Sequence, residues 1–217
     1  MWNLVRTNLE SLGPTPVITW LSPKGRIELS GKTFLNAISK AANYLVDGCS
    51  FDNQTKVRIE LENHWQAPVW KIASLVSGIG ISDTSTHIFS FSDFPSVSHV
   101  VSRDPFGMPE KGVSPNFENV SLEVRSHGDY FAPSYSLDDP AVIYKNQTID
   151  QVELIERAIN SAITGRFGLV LKNSNLESLV FQALIPALTE NSVVLLDGID
   201  ISEAAVEAEK VTQIITI

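Results

Sequence analysis

Asn63, His64 and Trp65 bring an amide, an imidazole and an indole together at one point of the sequence. They follow Lys56–Glu62, whose strict alternation of polar and apolar residues predicts a strand with one wetter face. A helical pattern then runs to about Ser77, so the three residues occupy a strand-to-helix turn. Such side chains could hold an acyl or aromatic ligand, and the alternative is a helix entry whose tryptophan packs on the core. We take them as the candidate ligand-binding residues.

Three other groups of residues could in principle take part in catalysis or cofactor binding, but each lacks a necessary partner. His127–Asp129 could orient a histidine as in a catalytic triad, but the sequence has no Gly-x-Ser-x-Gly nucleophile elbow. Gly78 and Gly80 lack the third glycine of a dinucleotide fingerprint and follow a helix, which is typical of a helix C-cap. Lys145 beside Thr148 lacks the glycines that would let backbone amides approach a phosphate. We therefore assign no catalytic residue and no cofactor.

A predicted strand-to-helix junction is the point around which the other elements are arranged. Ala141–Tyr144 is an apolar run without polar alternation, typical of a buried strand in a parallel sheet. Thr148 and Gln151 have capping-box spacing, which predicts a helix that begins almost at once and covers about 149–163. A phosphate at the carboxyl end of such a strand needs a glycine-rich turn, and this stretch contains no glycine. A nucleotide loop is therefore not expected here.

Strands and helices alternate on both sides of this junction. Pro16–Leu21 and Arg26–Leu29 flank a Pro/Gly turn and predict a β-hairpin, and Ser30 is a suitable N-cap for a helix over about 33–46. Later strands are expected at about 141–144, 168–172, 192–196 and 211–216, with helices at about 149–163, 175–189 and 201–209. This alternation indicates an α/β fold with largely parallel sheets and helices on both faces.

The later helices carry their own boundary signals. Ser174 with Glu177 has capping-box spacing, and Asp200 with Glu203 offers the same arrangement one helix later. Pro186 falls in the last turn of the middle helix, where its missing N–H is expected to kink or shorten the helix.

Composition excludes several classes of partner. The 217 residues carry a formal net charge of −9, which disfavours nucleic acid and anionic membranes because both attract clustered Lys and Arg. No apolar stretch approaches a membrane span, and the N-terminus lacks the apolar core of a signal peptide, so we expect a cytoplasmic protein. Cys49 is the single cysteine, and no Cys/His spacing suits zinc, so we assign no metal site.

The chain length suits one large α/β domain over 1–217, with the option of two lobes. Ala132–Ser136 is rich in Pro, Ser and Tyr, which is typical of a connection between lobes. The two lobes would then cover 1–132 and 137–217.

Several segments resemble the start of the adenylate-forming superfamily, which includes acyl-CoA synthetases, peptide-synthetase adenylation domains and luciferases. The similar segments are the hairpin, "ELSGKTFLNAISKAANYL" and "KVRIELENHWQAPVWKIASLVSG". "DDPAVIY" resembles the strand that in those enzymes runs into a Ser/Thr/Gly-rich phosphate loop, and the stretch from "LVFQALIPALTE" onward resembles the segment after it. The chain is more closely similar to short actinobacterial proteins of unknown function, on the motifs "HWQ", "DPFG" and "HGD".

The departures from that family decide the functional hypothesis. Only three residues separate Tyr144 from Thr148, as if the phosphate loop had been excised. The sequence also stops at Ile217, before the family's magnesium and ribose motifs and the domain that carries its catalytic lysine. We carry over no functional residue. We expect a catalytically silent domain with a structural, regulatory or ligand-sensing role. The alternatives are one half of a split acid-activating enzyme, or a passive binder of acyl or aromatic molecules.

The last segment, Val211–Thr216, has the pattern of a strand. It contains no Lys, Arg, Pro or acidic residue that would prevent its edge from pairing with another strand. An uncovered strand edge or apolar surface favours symmetric self-association, most often as a two-fold dimer. We therefore expect a homodimer.

Overall fold

The computed structural model describes residues 1–91, 96–109, 111–114, 116–133, 140–145, 147–199 and 203–217. Within these ranges the strands are β1 (Pro16–Ser22), β2 (Gly25–Ser30), β3 (Lys56–Glu60), β4 (Gly80–Ser82), β5 (Ile88–Ser90), β6 (His99–Val100), β7 (Glu118–Asn119), β8 (Pro140–Tyr144), β9 (Gln147–Asp150), β10 (Arg166–Val170), β11 (Ser192–Leu196) and β12 (Gln213–Thr216).

The α-helices are α1 (Trp2–Leu12), α2 (Gly31–Asn43), α3 (Gln66–Val76), α4 (Val120–Glu123), α5 (Gln151–Ile159), α6 (Leu176–Leu179), α7 (Ile185–Leu188) and α8 (Glu203–Ala208). A π-helical turn at Tyr44–Gly48 extends α2, and a second one at Val180–Leu184 joins α6 to α7 into one longer helix. A short 3₁₀ turn, Val124–Ser126, follows α4.

A five-stranded sheet has the order β12-β10-β11-β1-β2. Its strands are parallel except for β2, which closes the predicted N-terminal hairpin against β1. Strand β11 shows why the sheet is parallel: Val193 to Leu196 form a continuous apolar run, and all four are buried. Such runs are typical of strands that are covered on both faces.

A seven-stranded sheet has the order β7-β6-β5-β3-β4-β8-β9, and only β9 is antiparallel to its neighbour. The carboxyl ends of β3, β4 and β8 therefore meet at one edge, where α/β sheets bind their ligands. Each of the two sheets takes strands from both sides of the proposed junction at 132–136, whose residues 134–136 lie outside the described part of the chain.

Helix α3 lies in the interior of the molecule. Every residue from Gln66 to Val76 is buried, and the helix packs against α2 and against the π-turn at Val180–Leu184. One continuous hydrophobic core contains side chains from α3 and from both sheets. A helix that is covered on all sides needs apolar residues all round, and α3 meets that need except at a few polar positions.

The predicted start of α2 is confirmed. Ser30 caps α2, because its side chain accepts a hydrogen bond from the Thr33 amide. Near Pro186, where we expected a kinked or shortened helix, the structure has the second π-turn, in which the Ile185 amide donates to the Val180 carbonyl five residues back. A proline cannot donate to a helical carbonyl, so the hydrogen-bond pattern changes just before it.

Two predicted capping boxes are wrong in position. Thr148 lies in β9, and α5 begins instead after Asp150, whose carboxylate accepts from the Glu153 amide at 2.8 Å. The α6 box uses Asn175 with Ser178 rather than the residues one position earlier. In both places neighbouring residues have side chains able to cap, and tertiary packing selects one of them. The expected box at Asp200 lies outside the described residues.

The junction after β8 also differs from the prediction. Strand β8 pairs in parallel with β4, as expected for a buried strand, but it turns directly into β9 rather than into a helix. At the start of α3 the N-cap residue Trp65 makes no capping hydrogen bond with its side chain, and His64 Nδ1 accepts from the Gln66 amide instead. Among the described residues, no helix has both the length and the apolar character needed to cross a membrane.

Candidate functional site

Asn63, the first predicted binding residue, connects the two sheets. Its Nδ2 donates to the carbonyl oxygens of Leu169 at 2.8 Å and Leu196 at 3.0 Å, which lie at the ends of β10 and β11. Its Oδ1 accepts from Gln182 Nε2 at 3.2 Å. The side chain is buried, so these bonds fix the loop after β3 against the other sheet. Asn63 also lines a wide cleft of about 830 Å³ at the carboxyl ends of both sheets.

The side chains of His64 and Trp65 pack against other parts of the protein. The His64 ring packs against Trp20 with 4.6 Å between centroids and a 60° tilt, and its Nδ1 accepts from the Gln66 amide at 3.3 Å. Burial lowers the pKa of His64 to about 3, so the imidazole is neutral at physiological pH. Trp65 Nε1 donates to the Pro105 carbonyl at 2.9 Å. The structure thus brings the three predicted residues together, and their binding of a ligand stays a prediction.

The other groups singled out in the sequence have structural roles. Asp129 pairs with Lys40 at 2.8 Å and the His127 ring packs edge-on against Tyr44, so the two residues do not form a triad. Gly78 has φ +77°, the left-handed conformation that glycine adopts after a helix, which confirms the predicted C-cap.

Cys49 and His99 form a pair of potentially reactive side chains that we did not predict from the sequence. Cys49 Sγ lies 3.6 Å from His99 Nε2, and His99 Nδ1 lies 2.7 Å from Ser98 Oγ. Burial raises the pKa of the Cys49 thiol to about 11 and lowers the pKa of His99 to about 4. Both groups are therefore neutral at pH 7, and an activated thiolate is not present.

The turn between β8 and β9 lies where the sequence led us to look for a phosphate loop. Tyr144 pairs with Gln147, so two residues make the whole connection. Lys145 has φ +47°, and its amide donates to Asp83 Oδ2 at 3.1 Å. A phosphate site needs free backbone amides and a positive field. Here the amide is occupied by a carboxylate, and that carboxylate repels an anion.

Beneath this turn is a cavity of about 210 Å³, which we call the Lys71 pocket. It lies at the joined carboxyl ends of β3, β4 and β8 and at the start of α6. Its walls are mainly apolar: Ile59, Ile81, Val142, Ile143, Leu176 and Leu179. The location and the lining are those of a small-molecule site in an α/β fold.

Lys71 is the buried basic residue of this pocket. It comes from the middle of α3, and its Nζ donates to Gln182 Oε1 at 2.6 Å and lies 3.4 Å from Ser178 Oγ. The side chain is only 5% exposed, and burial lowers the pKa of its amine to about 7. Sequence reasoning missed it, although Lys71 is the one charged residue in the α3 segment.

The charged groups at the rim are engaged with one another. Arg58 Nε pairs with Glu60 Oε1 at 2.9 Å, and Asp83 holds the Lys145 amide. Tyr144 closes the same side, with the Lys145 ammonium 5.2 Å from its ring centroid. The described residues contain no cluster of three or more His, Cys, Asp or Glu side chains that could hold a metal. The pocket is therefore a mainly apolar cavity with Lys71 among its lining residues.

No protein-family model matches the sequence. A sequence relative, the TIGR03089 family protein of Mycobacterium tuberculosis (strain ATCC 25618 / H37Rv), is 27% identical over 157 residues, covering 64% of this chain and 63% of the relative. The match confirms the expected resemblance to actinobacterial proteins, over less than two thirds of that relative's length.

Solved structures match the fold closely. The Brucella canis acyl-CoA synthetase superposes with a TM-score of 0.78 and 11% identity over 98% of this chain and 46% of its own. A mutant form of coronafacic acid ligase from Pectobacterium brasiliense gives 0.73 with 13% identity, over 99% of this chain and 49% of the ligase. The chain has the fold of the front half of an adenylate-forming enzyme. It spans about half the length of these structures.

Within this adenylate-forming fold, the two-residue turn after Tyr144 takes the place that the sequence resemblance gives to the phosphate loop. The Lys71 pocket opens directly beneath it. Identity is low, so the likeness establishes the fold, and any activity must be argued from the residues present here.

Proposed function

We propose that this chain is a binding domain for a small apolar molecule and that it does not form acyl-adenylates. The proposed binding site for this molecule is the Lys71 pocket. Its volume of about 210 Å³ exceeds the roughly 150 Å³ of a cavity that holds benzene, so a ligand of about eight non-hydrogen atoms fits. The apolar walls supply affinity, and Lys71 with the rim side chains supplies orientation.

The turn at Lys145 supports the second part of the proposal, that the chain does not form acyl-adenylates. Adenylation requires ATP phosphates to be held while charge develops on them, and one lost donor typically costs about 10²–10³ in rate. The Lys145 amide donates to Asp83, and the connection between Tyr144 and Gln147 is only two residues long. The fold neighbours are named as a synthetase and a ligase, so acid activation is the rival function.

The binding half is tested with benzyl alcohol, an unreactive probe of the right size, by saturation-transfer NMR. We expect binding to the natural chain and its loss in Ile81→Phe, which fills the pocket. Ile27→Phe is the matched control, because Ile27 is a half-buried residue of β2 in the other sheet, and it should bind normally. Equal binding by all three proteins, or by none, would reject the pocket.

The silent half is tested by ATP–pyrophosphate exchange with a panel of fatty, aromatic and amino acids. We expect the natural chain to remain at the no-protein background with each acid. Exchange above background that disappears in Lys145→Ala or Asp83→Asn would instead place a phosphate site at the β8–β9 turn. A neighbouring chain that restores exchange when added would favour the split-enzyme alternative.

A further inference from the structure

Gln182 determines how Lys71 is held. Its Nε2 donates to the Glu62 carbonyl at 2.9 Å and to Asn63 Oδ1 at 3.2 Å, which leaves Oε1 to face Lys71. Both partners of Nε2 are acceptors, so the amide cannot be flipped without losing those bonds. Gln182 lies in the π-turn, a feature that is frequent at functional sites. Lys71 Nζ therefore meets a fixed acceptor.

The hydrogen bonds of Lys71 suit a neutral amine. A neutral amine has two N–H donors and one lone pair, whereas an ammonium has three donors. Among the described residues, two acceptors lie within reach, Gln182 Oε1 at 2.6 Å and Ser178 Oγ at 3.4 Å. Two acceptors satisfy both N–H groups and leave the lone pair unused. A third donor of an ammonium would be buried without a partner, which is costly.

In the part of the chain that the structure describes, no carboxylate pairs with Lys71. The acidic groups that face the pocket are Glu60, paired with Arg58, and Asp83, which accepts from a backbone amide. The side chains that contact Lys71 Nζ are the Ser178 hydroxyl of α6 and the Gln182 amide of the π-turn, both uncharged. Burial lowers the pKa of Lys71 to about 7, so about half of the amine is free at neutral pH, a fraction roughly a thousandfold larger than for an ordinary lysine.

We propose that Lys71 is a nucleophilic amine that forms a reversible imine with a small apolar aldehyde bound in the Lys71 pocket, an inference that rests on the proposed binding function. Amines desolvated in apolar pockets are the usual imine-forming lysines. The Nζ lone pair attacks the carbonyl carbon, and the C=O π electrons move to oxygen. A proton passes from nitrogen to that oxygen. Loss of water then leaves a C=N bond, so amine and aldehyde give imine and water with no change of oxidation state.

Benzaldehyde is the probe, because its eight non-hydrogen atoms match the cavity and benzyl alcohol is its unreactive counterpart. The natural chain is incubated at pH 7.5 with benzaldehyde and sodium cyanoborohydride, which converts an imine into a stable benzylamine. Intact mass and peptide mapping then give the number and position of benzyl groups. We expect one group, saturable, on Lys71, formed at least tenfold faster than on the exposed Lys172.

Variants separate this inference from the proposed function on which it rests. Lys71→Met should lose the adduct, whereas Lys172→Met should keep both the adduct on Lys71 and the binding of benzyl alcohol. Ile81→Phe should lose both. Labelling spread over exposed lysines without preference for Lys71, while benzyl alcohol still binds, would overturn the imine and leave the binding domain standing. Loss of alcohol binding by the natural chain itself would overturn both.

Discussion

Replacing Lys71 with methionine should change how the free energy of unfolding depends on pH between 7 and 9. Methionine has a similar length and no titrating group, so it removes the amine with little change of volume. The pKa of the amine is lowered to about 7 in the folded chain, because it is buried, from about 10.5 when exposed. Between these values the unfolded chain binds a proton at residue 71 that the folded chain does not.

The sign and size follow from this difference in bound protons. Unfolding becomes easier as pH falls from 10.5 to 7, because the proton is taken up only on unfolding. One pKa unit corresponds to about 1.4 kcal/mol. Between pH 7 and pH 9 the free energy of unfolding of the natural chain should therefore rise by about 2 kcal/mol more than that of Lys71→Met. The hydrogen bonds that methionine cannot make to Gln182 and Ser178 also lower stability, but that loss does not vary with pH.

Urea unfolding followed by tryptophan fluorescence at pH 7, 8 and 9 measures the effect, because Trp20 and Trp70 are buried in the core. Lys172→Met is the matched control, since Lys172 is exposed and its difference from the natural chain should stay flat. Ionisation of Cys49 in the unfolded state is common to all three proteins and cancels. A gap between Lys71→Met and the natural chain that is constant over this range would mean that the folded amine is charged.

Three further outcomes are expected. Asn63→Ala should lower the free energy of unfolding by about 2–4 kcal/mol in urea, because it leaves buried partners unsatisfied in both sheets, whereas the exposed Asn173→Ala should have little effect. Burial lowers the pKa of His64 to about 3 and of His99 to about 4, so each should lower the free energy of unfolding by about 1.4 kcal/mol per pH unit as pH drops from 6.5 to 4. His99→Phe should reduce the slope by that amount. We also propose that the edge strand β12 pairs two copies into a homodimer; sedimentation velocity at micromolar concentration should then give twice 23.8 kDa, and a monomer throughout would reject it.

Much of the fold could be predicted because its signals are local. The apolar run at Val193–Leu196, the hairpin beside Pro23 and the Ser30 cap each depend on residues close in sequence. Alternation of strands and helices then restricts the topology to parallel sheets. These local signals agree with one another, which is what a sequence with a single fold requires.

The hairpin β8–β9 was missed because its pattern is too short. Gln147–Asp150 has only four residues, and just one of them, Ile149, is apolar and buried. Such a segment is as compatible with the first turn of a helix as with a strand. Thr148 and Asp150 are both able to cap, and pairing with β8 settles which of them stands at the helix start.

The Lys71 pocket could not be located from sequence because its parts are far apart. Lys71 contacts Ser178 and Gln182, which follow it by 107 and 111 residues. One lysine in an apolar helix is compatible with a side chain that extends to solvent. Only the packing of α3 on the π-turn shows that this amine remains inside.

The same packing links the pocket to the junction of the two sheets. Gln182 accepts from Lys71 and donates to Asn63, whose own amide bonds the ends of β10 and β11. A neutral imine at Lys71 has no N–H, so its formation would remove the 2.6 Å hydrogen bond that Gln182 Oε1 accepts. Under the proposed reaction, a change at Lys71 therefore alters a hydrogen bond that is one residue removed from the contact between the sheets.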